Sequence, residues 1–126
     1  MLKLAMRLLF SLAVVLFSGL AVNAAQPYDE ASFKEAQAAG KTVLINVTAS
    51  WCPTCKKQEP TIKAVEKERP NLVVYDVDFD TAKDVLQRLK VRAQSTLIVY
   101  KGPKEVARST AETDPGHLRA LIAKGF

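Results

Sequence analysis

The sequence predicts an α/β fold in which a central mixed sheet of four strands has helices on both faces. Segments with a helical spacing of apolar residues separate the first three β-type runs, and such interposed helices are typical of parallel crossover connections. The last two β-type runs are joined by a short turn at Gly102 and Pro103, which is typical of an antiparallel hairpin. The predicted order of elements is αβαβαββα.

The first half of the predicted domain consists of a helix, a buried strand and a long helix. Asp29 suits the N-cap of a helix over 30–39, and the apolar run within 42–48 indicates a buried strand. A helical pattern then covers 53–69. Pro60 lies inside this pattern, and we expect it to kink the helix rather than end it, because the apolar spacing resumes afterwards.

The second half of the chain predicts three strands and two helices. Asp114 followed by Pro115 is a typical helix start, and the alternation in the fourth strand suits an edge of the sheet. In chain order, these elements are a strand over 72–77, a helix over 82–90, strands over 96–100 and 105–109, and a final helix beginning at Pro115.

Composition and charge are those of an ordinary globular domain, with 48% hydrophobic and 25% charged residues in a chain of 126. The formal net charge is +5, but Lys3 and Arg7 lie in a segment that we expect to be removed. Without these two, 16 basic residues stand against 13 acidic ones, a surplus of +3. The basic residues are scattered among acidic ones, so no nucleic-acid-binding surface is predicted.

Residues 1–24 have the three parts of a secretory signal. Lys3 and Arg7 give a positive start, an apolar run follows, and a small-residue cleavage pattern ends at Ala24. We therefore expect export, cleavage after Ala24 and a mature domain over 25–126. The alternative is an uncleaved membrane anchor, for which the apolar run is short compared with a span of ~20 residues.

The chain has two cysteines, Cys52 and Cys55, at the start of the second predicted helix. Structural zinc takes about four ligands, and besides these thiols the chain has a single histidine, so a zinc site within one chain is disfavoured. A purely structural bridge across so short a loop would stabilise little. The third interpretation is redox exchange, in which a thiolate attacks a substrate disulfide and a second thiol resolves the intermediate.

Redox exchange fits the predicted position of the two cysteines. Unsatisfied N–H groups and the dipole at a helix N-terminus favour an anion at Cys52, and Lys56 and Lys57 add positive charge nearby. Cys55, one turn further into the helix, is expected to be the more buried of the two. Disulfides persist in exported proteins, so export would give the pair a suitable setting.

The run from Ala49 to Lys56, with Pro60 after it, resembles the active site of the thioredoxin superfamily. The run over 91–101 resembles the segment that faces the active site in those proteins. The resemblance extends from about Phe33 to Leu121, and the predicted order of elements matches the thioredoxin-like fold with its usual first strand weak or missing. With export, the chain is similar to bacterial periplasmic thiol-disulfide oxidoreductases.

This resemblance implies an enzyme that exchanges a Cys52–Cys55 dithiol or disulfide with protein substrates. Cys52 would be the nucleophile and Cys55 the resolving thiol. The enzyme would be a periplasmic, monomeric reductase that uses no metal or other cofactor and is re-reduced by a membrane electron-donor protein. The resemblance implies supporting roles for Trp51 (as a lid on the disulfide), Pro53, Thr54, Asn46 and Lys56, and substrate-binding roles for Gln94, Ser95 and Thr96.

Asn46 departs from the superfamily pattern, which often has a buried acid at this position to assist deprotonation of the resolving thiol. An amide can orient a thiol or a water molecule but cannot take a proton. We therefore expect slower thiol activation near neutral pH than in an Asn46→Asp variant. Further along, Asp76, Asp78 and Asp80 alternate along a strand and its exit, where we expect strand-end caps and solvated charges rather than a metal site.

Ser95 stands where the superfamily normally has a cis-proline. A cis bond costs ~3–4 kcal/mol before a non-proline residue and about 0.5–1 kcal/mol before proline, so the bond between Gln94 and Ser95 is either trans or held cis at considerable cost. The Ser95 hydroxyl is a candidate hydrogen-bond donor to a Cys52 thiolate. Without the proline ring the thiol would also be more open to iron–sulfur coordination between two chains, and the alternative function is a non-catalytic binding or iron–sulfur-carrying module.

Overall fold

The computed structural model describes residues 24–126 as five strands and four helices. The predicted signal segment therefore lies outside the described residues, apart from Ala24. In this described part, no helix is both long and apolar enough to cross a membrane. The elements in chain order are β1 (Gln26–Pro27), α1 (Glu30–Ala38), β2 (Thr42–Thr48), α2 (Pro53–Glu68), β3 (Leu72–Asp78), α3 (Lys83–Arg88), β4 (Thr96–Lys101), β5 (Lys104–Thr110) and α4 (Pro115–Ala123).

The strands form one mixed sheet in the order β1-β3-β2-β4-β5. β3 runs parallel to both β1 and β2, whereas β4 is antiparallel to β2 and β5. The predicted fold class is confirmed, but the predicted count of four strands is wrong. The added strand, β1, is two residues long and pairs with Tyr75 and Asp76 at the edge of the sheet. So short a strand, half of it proline, carries no periodic pattern that a sequence could reveal.

The two faces of the sheet carry separate cores, because successive side chains of a strand point to opposite sides. Val43 and Ile45 of β2 pack with side chains of α1 and α3 on one face. Leu44 packs with Ile62 of α2 and with side chains of α4 on the other face. Asn46 follows the alternation of Leu44 and therefore lies on the α2 side. The polar carboxyl end of β2 is thus placed beneath the first half of α2.

Most element boundaries agree with the prediction. Asp29 and Asp114 cap their helices as expected, and α2 continues through Pro60. The structure makes α3 shorter than the predicted 82–90, because the chain leaves the helix in a turn at Lys90, whose φ is +56°. β5 lies at an edge of the sheet and is largely exposed, as its alternation predicts.

Candidate active site

The two cysteines form a disulfide in the first turn of α2, with their Cα atoms 5.3 Å apart. Cys52 is the N-cap residue, and Pro53 occupies the next position, where the helix needs no N–H. The backbone N–H of Cys55 points at Cys52 Sγ, with 3.1 Å between nitrogen and sulfur. An N–H in this position and the helix dipole both favour a thiolate at Cys52 in the reduced protein.

Both cysteines are shielded from solvent in this oxidised structure. Cys52 has a relative exposure of 0% and Cys55 of 6%, so the expectation that Cys55 is the more buried is wrong. Cys52 shares a small apolar cluster with Ala49 and Cys55, against which Phe79 packs from the loop after β3. Its place at the start of the helix therefore does not expose it. A partner thiol has to displace neighbouring groups to reach the sulfur of Cys52.

Trp51 precedes the disulfide and is 53% exposed. Its indole Nε1 donates a hydrogen bond of 2.8 Å to Asp80 Oδ2, in the loop after β3. The Asp80 N–H in turn donates to Asp78 Oδ1. Both carboxylates therefore serve as hydrogen-bond acceptors at the end of β3. The Asp80 carboxylate also holds the exposed indole of Trp51, the residue before Cys52, in place.

Ser95 is held in the left-handed region of backbone conformation, with φ +57°, and its peptide bond to Gln94 is trans. Its N–H donates to the carbonyl oxygen of Val47 at 2.8 Å, and its own carbonyl oxygen accepts the N–H of Ala111 at 3.1 Å. The hydroxyl donates to the carbonyl oxygen of Gln94 at 2.6 Å. In this oxidised structure the hydroxyl therefore donates its hydrogen bond to a local carbonyl oxygen and not to Cys52.

Gln58 fastens this loop to the helix, a role that no motif in the sequence predicts. The side chain is 1% exposed, and its Nε2 donates to the carbonyl oxygens of Ser95 at 3.1 Å and Glu112 at 2.8 Å. Its Oε1 is buried without a hydrogen-bond partner among residues 24–126. Its spacing could have indicated its burial, because Gln58 lies one turn after Cys55 on the side of α2 that faces the sheet.

A polar pair lies behind the disulfide, on the α2 side of the sheet. Asn46 Nδ2 donates to Asp76 Oδ1 at 3.0 Å, across the β2–β3 pairing. Burial raises the pKa of the Asp76 carboxyl above its ordinary value, and the hydrogen bond from Asn46 offsets part of this rise. Asn46, Cys55 and Asp76 all line one cavity of about 510 Å³. The structure thus places a half-buried carboxyl in the same cavity as Cys55, on the strand that pairs with β2 at Asn46.

The remaining predicted site residues surround these groups. Thr54 is half-buried in the first turn of α2, and Lys56 is exposed at the rim of the cavity. Gln94 is half-buried, whereas Thr96 is buried and its hydroxyl donates to the carbonyl oxygen of Ala93 at 2.8 Å. In the part of the chain that the structure describes, no group of three or more His, Cys, Asp or Glu side chains could hold a metal ion.

Comparison with known proteins gives one consistent family. A family model described as "Thioredoxin" matches residues 24–124. The "Thioredoxin" of Chlamydia trachomatis serovar D is 34% identical over 79% of this chain and 96% of its own length. The "Thioredoxin H-type" of Fagopyrum esculentum is also 34% identical, over 71% of this chain and 76% of its own. The solved structure titled "Crystal structure of Trxlp from Edwardsiella tarda EIB202" is 42% identical, covers 79% of this chain and 98% of its own, and superposes with a TM-score of 0.75.

Proposed function

The chain belongs to the thioredoxin family and is a thiol-disulfide oxidoreductase, and from this premise we propose that it is an exported protein-disulfide reductase. The observation that carries the proposal is the disulfide at the start of α2, with the N–H of Cys55 directed at Cys52 Sγ. This arrangement stabilises the thiolate that a reductase uses for its first attack.

The proposed reaction has two exchange steps. The Cys52 thiolate attacks a substrate disulfide, forms a mixed disulfide and expels one substrate thiolate, which takes a proton from solvent. Cys55 then loses its proton, attacks Cys52 Sγ and expels the second substrate thiolate, leaving the Cys52–Cys55 disulfide. Two electrons pass from the protein to the substrate. A second dithiol protein then reduces the enzyme by the same steps in reverse.

The loop around Ser95 is the proposed contact for the substrate chain. Gln94, Ser95 and Thr96 connect the segment after α3 to β4, and Gln58 fixes the loop from below through the Ser95 carbonyl. A loop held on a rigid scaffold is a common way to present a binding surface. Gln94, the half-buried member, is the candidate for recognition of an incoming peptide.

Export is proposed from the secretory pattern of residues 1–24. Cleavage after Ala24 would alter one contact of the structure, in which the backbone nitrogen of Ala25 donates to Glu66 Oε2 at 3.1 Å. Cleavage there would turn this nitrogen into an α-ammonium group and the hydrogen bond into an ion pair. The periplasm is the proposed location, and a membrane electron-donor protein the proposed source of reducing equivalents. Sequencing of the mature N-terminus should give Ala25, and a protein that retains Met1 would contradict the cleavage.

The reduction potential of the Cys52–Cys55 pair tests the proposed direction of electron flow. Equilibration in thiol–disulfide buffers of graded potential, followed by thiol alkylation and mass measurement, gives the fraction oxidised. A reductase should have a potential closer to roughly −270 mV, as in thioredoxin, than to the roughly −120 mV of a strong thiol oxidant. A value near the oxidising end would contradict the proposal, because the protein would then donate its disulfide rather than reduce its partners.

A further inference from the structure

We propose that Asp76 accepts the proton that Cys55 releases when it resolves the mixed disulfide, and that Asn46 is the positioning residue for the Asp76 carboxylate. The inference rests on the proposed reductase cycle, and it assigns a residue to the proton transfer in the second step. It also explains how this chain can resolve the mixed disulfide with an amide, Asn46, at the position where the superfamily often has an acid.

The sheet places the two side chains together. Asn46 and Asp76 are direct partners in the parallel pairing of β2 and β3. Directly paired residues of neighbouring strands point to the same face, and the alternation from Leu44 puts both on the face covered by α2. The 3.0 Å hydrogen bond from Asn46 Nδ2 to Asp76 Oδ1 leaves the other carboxylate oxygen available. The amide thus fixes the carboxylate in place without consuming its capacity to accept a proton.

Helix α2 brings Cys55 to the same space. Cys55, Glu59, Ile62 and Glu66 recur at the spacing of one helix face and line the cavity of about 510 Å³ together with Asn46 and Asp76. A water molecule takes roughly 30 Å³ in the liquid, so the cavity has room for several, and its polar lining offers them partners. A proton leaving Cys55 Sγ can therefore reach Asp76 through cavity water.

The other charged groups that face this space are placed less favourably. From α2, Glu59 is exposed and forms an ion pair with Lys63, Lys56 is a cation at the rim, and Glu66 accepts the Ala25 N–H. Glu66 is eleven residues after Cys55, which corresponds to about 16 Å along the helix axis. From β3, Asp78 is exposed and already accepts the Asp80 N–H. Asp76 is half-buried, and its hydrogen-bonding partner is the side-chain amide of Asn46, which lines the same cavity.

Its environment suits Asp76 to the task. Burial raises the pKa of the Asp76 carboxyl, and the nearby charge of Glu59 acts in the same direction, whereas Asn46 and Lys63 act against it. A carboxylate with a raised pKa is a better base toward a thiol than an exposed one. In the balanced step, the S–H bond of Cys55 breaks, Asp76 takes the proton, the new S–S bond to Cys52 forms and the substrate leaves as a thiolate. Asp76 then returns its proton to solvent.

The test follows both exchange steps with 5,5′-dithiobis(2-nitrobenzoic acid). The reduced protein releases one thionitrobenzoate when Cys52 attacks and a second when Cys55 closes the disulfide, and stopped-flow absorbance separates the two. In Asp76→Asn, the first release should keep the wild-type rate, and the second should slow about tenfold or more near pH 7. The difference should shrink as the pH rises beyond about 8.5, the ordinary pKa of a free thiol, because solvent hydroxide then takes the proton directly.

Two further variants separate proton transfer from a change in charge or fold. Asp84→Asn removes the same charge from an exposed site on α3 and should leave both releases unchanged. The double variant Asn46→Asp/Asp76→Asn moves the carboxyl across the 3.0 Å hydrogen bond and should restore the second release. An Asp76→Asn protein that releases the second thionitrobenzoate at the wild-type rate at every pH would overturn the inference. A slow second release without rescue, or without pH dependence, would also overturn it.

Unfolding in urea shows whether Asp76→Asn simply damages the protein. The carboxyl has a higher pKa in the folded state than its ordinary value, so its ionised form destabilises the fold as the pH rises from about 4 through the folded-state pKa. The oxidised Asp76→Asn protein should therefore be at least as stable as wild type at pH 7, and its advantage should vanish below about pH 4. A wild-type first release no faster than that of Cys52→Ser would instead refute the proposed function.

Discussion

With serine in place of Cys55, the protein should form mixed disulfides with its substrates and fail to resolve them. Cys52 keeps its position at the helix start and the N–H of residue 55, so the first attack remains. The second step has lost its thiol, because a serine hydroxyl is far too weak an acid to replace it at neutral pH. Turnover should fall to the uncatalysed level, while mass spectrometry under non-reducing conditions should show the protein joined to one substrate chain.

The matched control is Cys52→Ser, which should form no such adduct and should show no turnover. The roles of the two cysteines need this direct comparison, because in the oxidised structure Cys52 is the more shielded, with 0% exposure against 6% for Cys55. Adducts that accumulate on Cys52→Ser but not on Cys55→Ser would reverse the assignment of nucleophile and resolving thiol.

Replacing Ser95 by proline should destabilise the oxidised protein by more than about 2 kcal/mol. Proline fixes φ near −65°, whereas Ser95 has φ +57°. Its ring also removes the N–H that donates to the carbonyl oxygen of Val47 at 2.8 Å, and leaves a buried acceptor without this partner. Proline is the residue that the superfamily normally has here, but the loop of this chain has a backbone conformation at Ser95 that proline cannot adopt. The free energy of unfolding in urea measures the effect.

Ser95→Gly is the control for this prediction. Glycine reaches positive φ without a steric cost and keeps the N–H, so the variant should stay within about 1 kcal/mol of wild type. A Ser95→Pro protein as stable as wild type would show that the loop readily adopts the arrangement of the proline-containing relatives. The bond from Gln58 Nε2 to the Ser95 carbonyl would then not set the conformation of the loop.

The sequence was sufficient for the elements with long, regular patterns. Four of the seven residues of β2 are apolar, with three of them consecutive, and α2 has both a clear start at Pro53 and a repeating apolar stripe. These two elements carry Cys52 and Cys55, so the location of the disulfide followed from them. β1 could not be predicted from the sequence, because two residues show no periodic pattern and the strand is defined by its pairing with β3.

The polar surroundings of the disulfide could not be predicted in the same way. In the sequence, Asp76 looks like Asp78 and Asp80, and the difference arises from its register opposite Asn46 and its cover by α2. In the sequence, Gln58 resembles the other polar residues of a charged helix. Its hydrogen bonds go to loops that are 37 and 54 residues away along the chain. Both residues owe their roles to contacts between distant segments, which local patterns do not report.

Reduction of insulin by dithiothreitol, followed by the turbidity of the released B chain, tests most directly whether Cys52 and Cys55 catalyse disulfide reduction. The wild-type protein should accelerate the reaction, and Cys52→Ser should give the rate seen without protein. Equal rates for these two proteins would contradict the assignment and favour a non-catalytic module that keeps the thioredoxin fold.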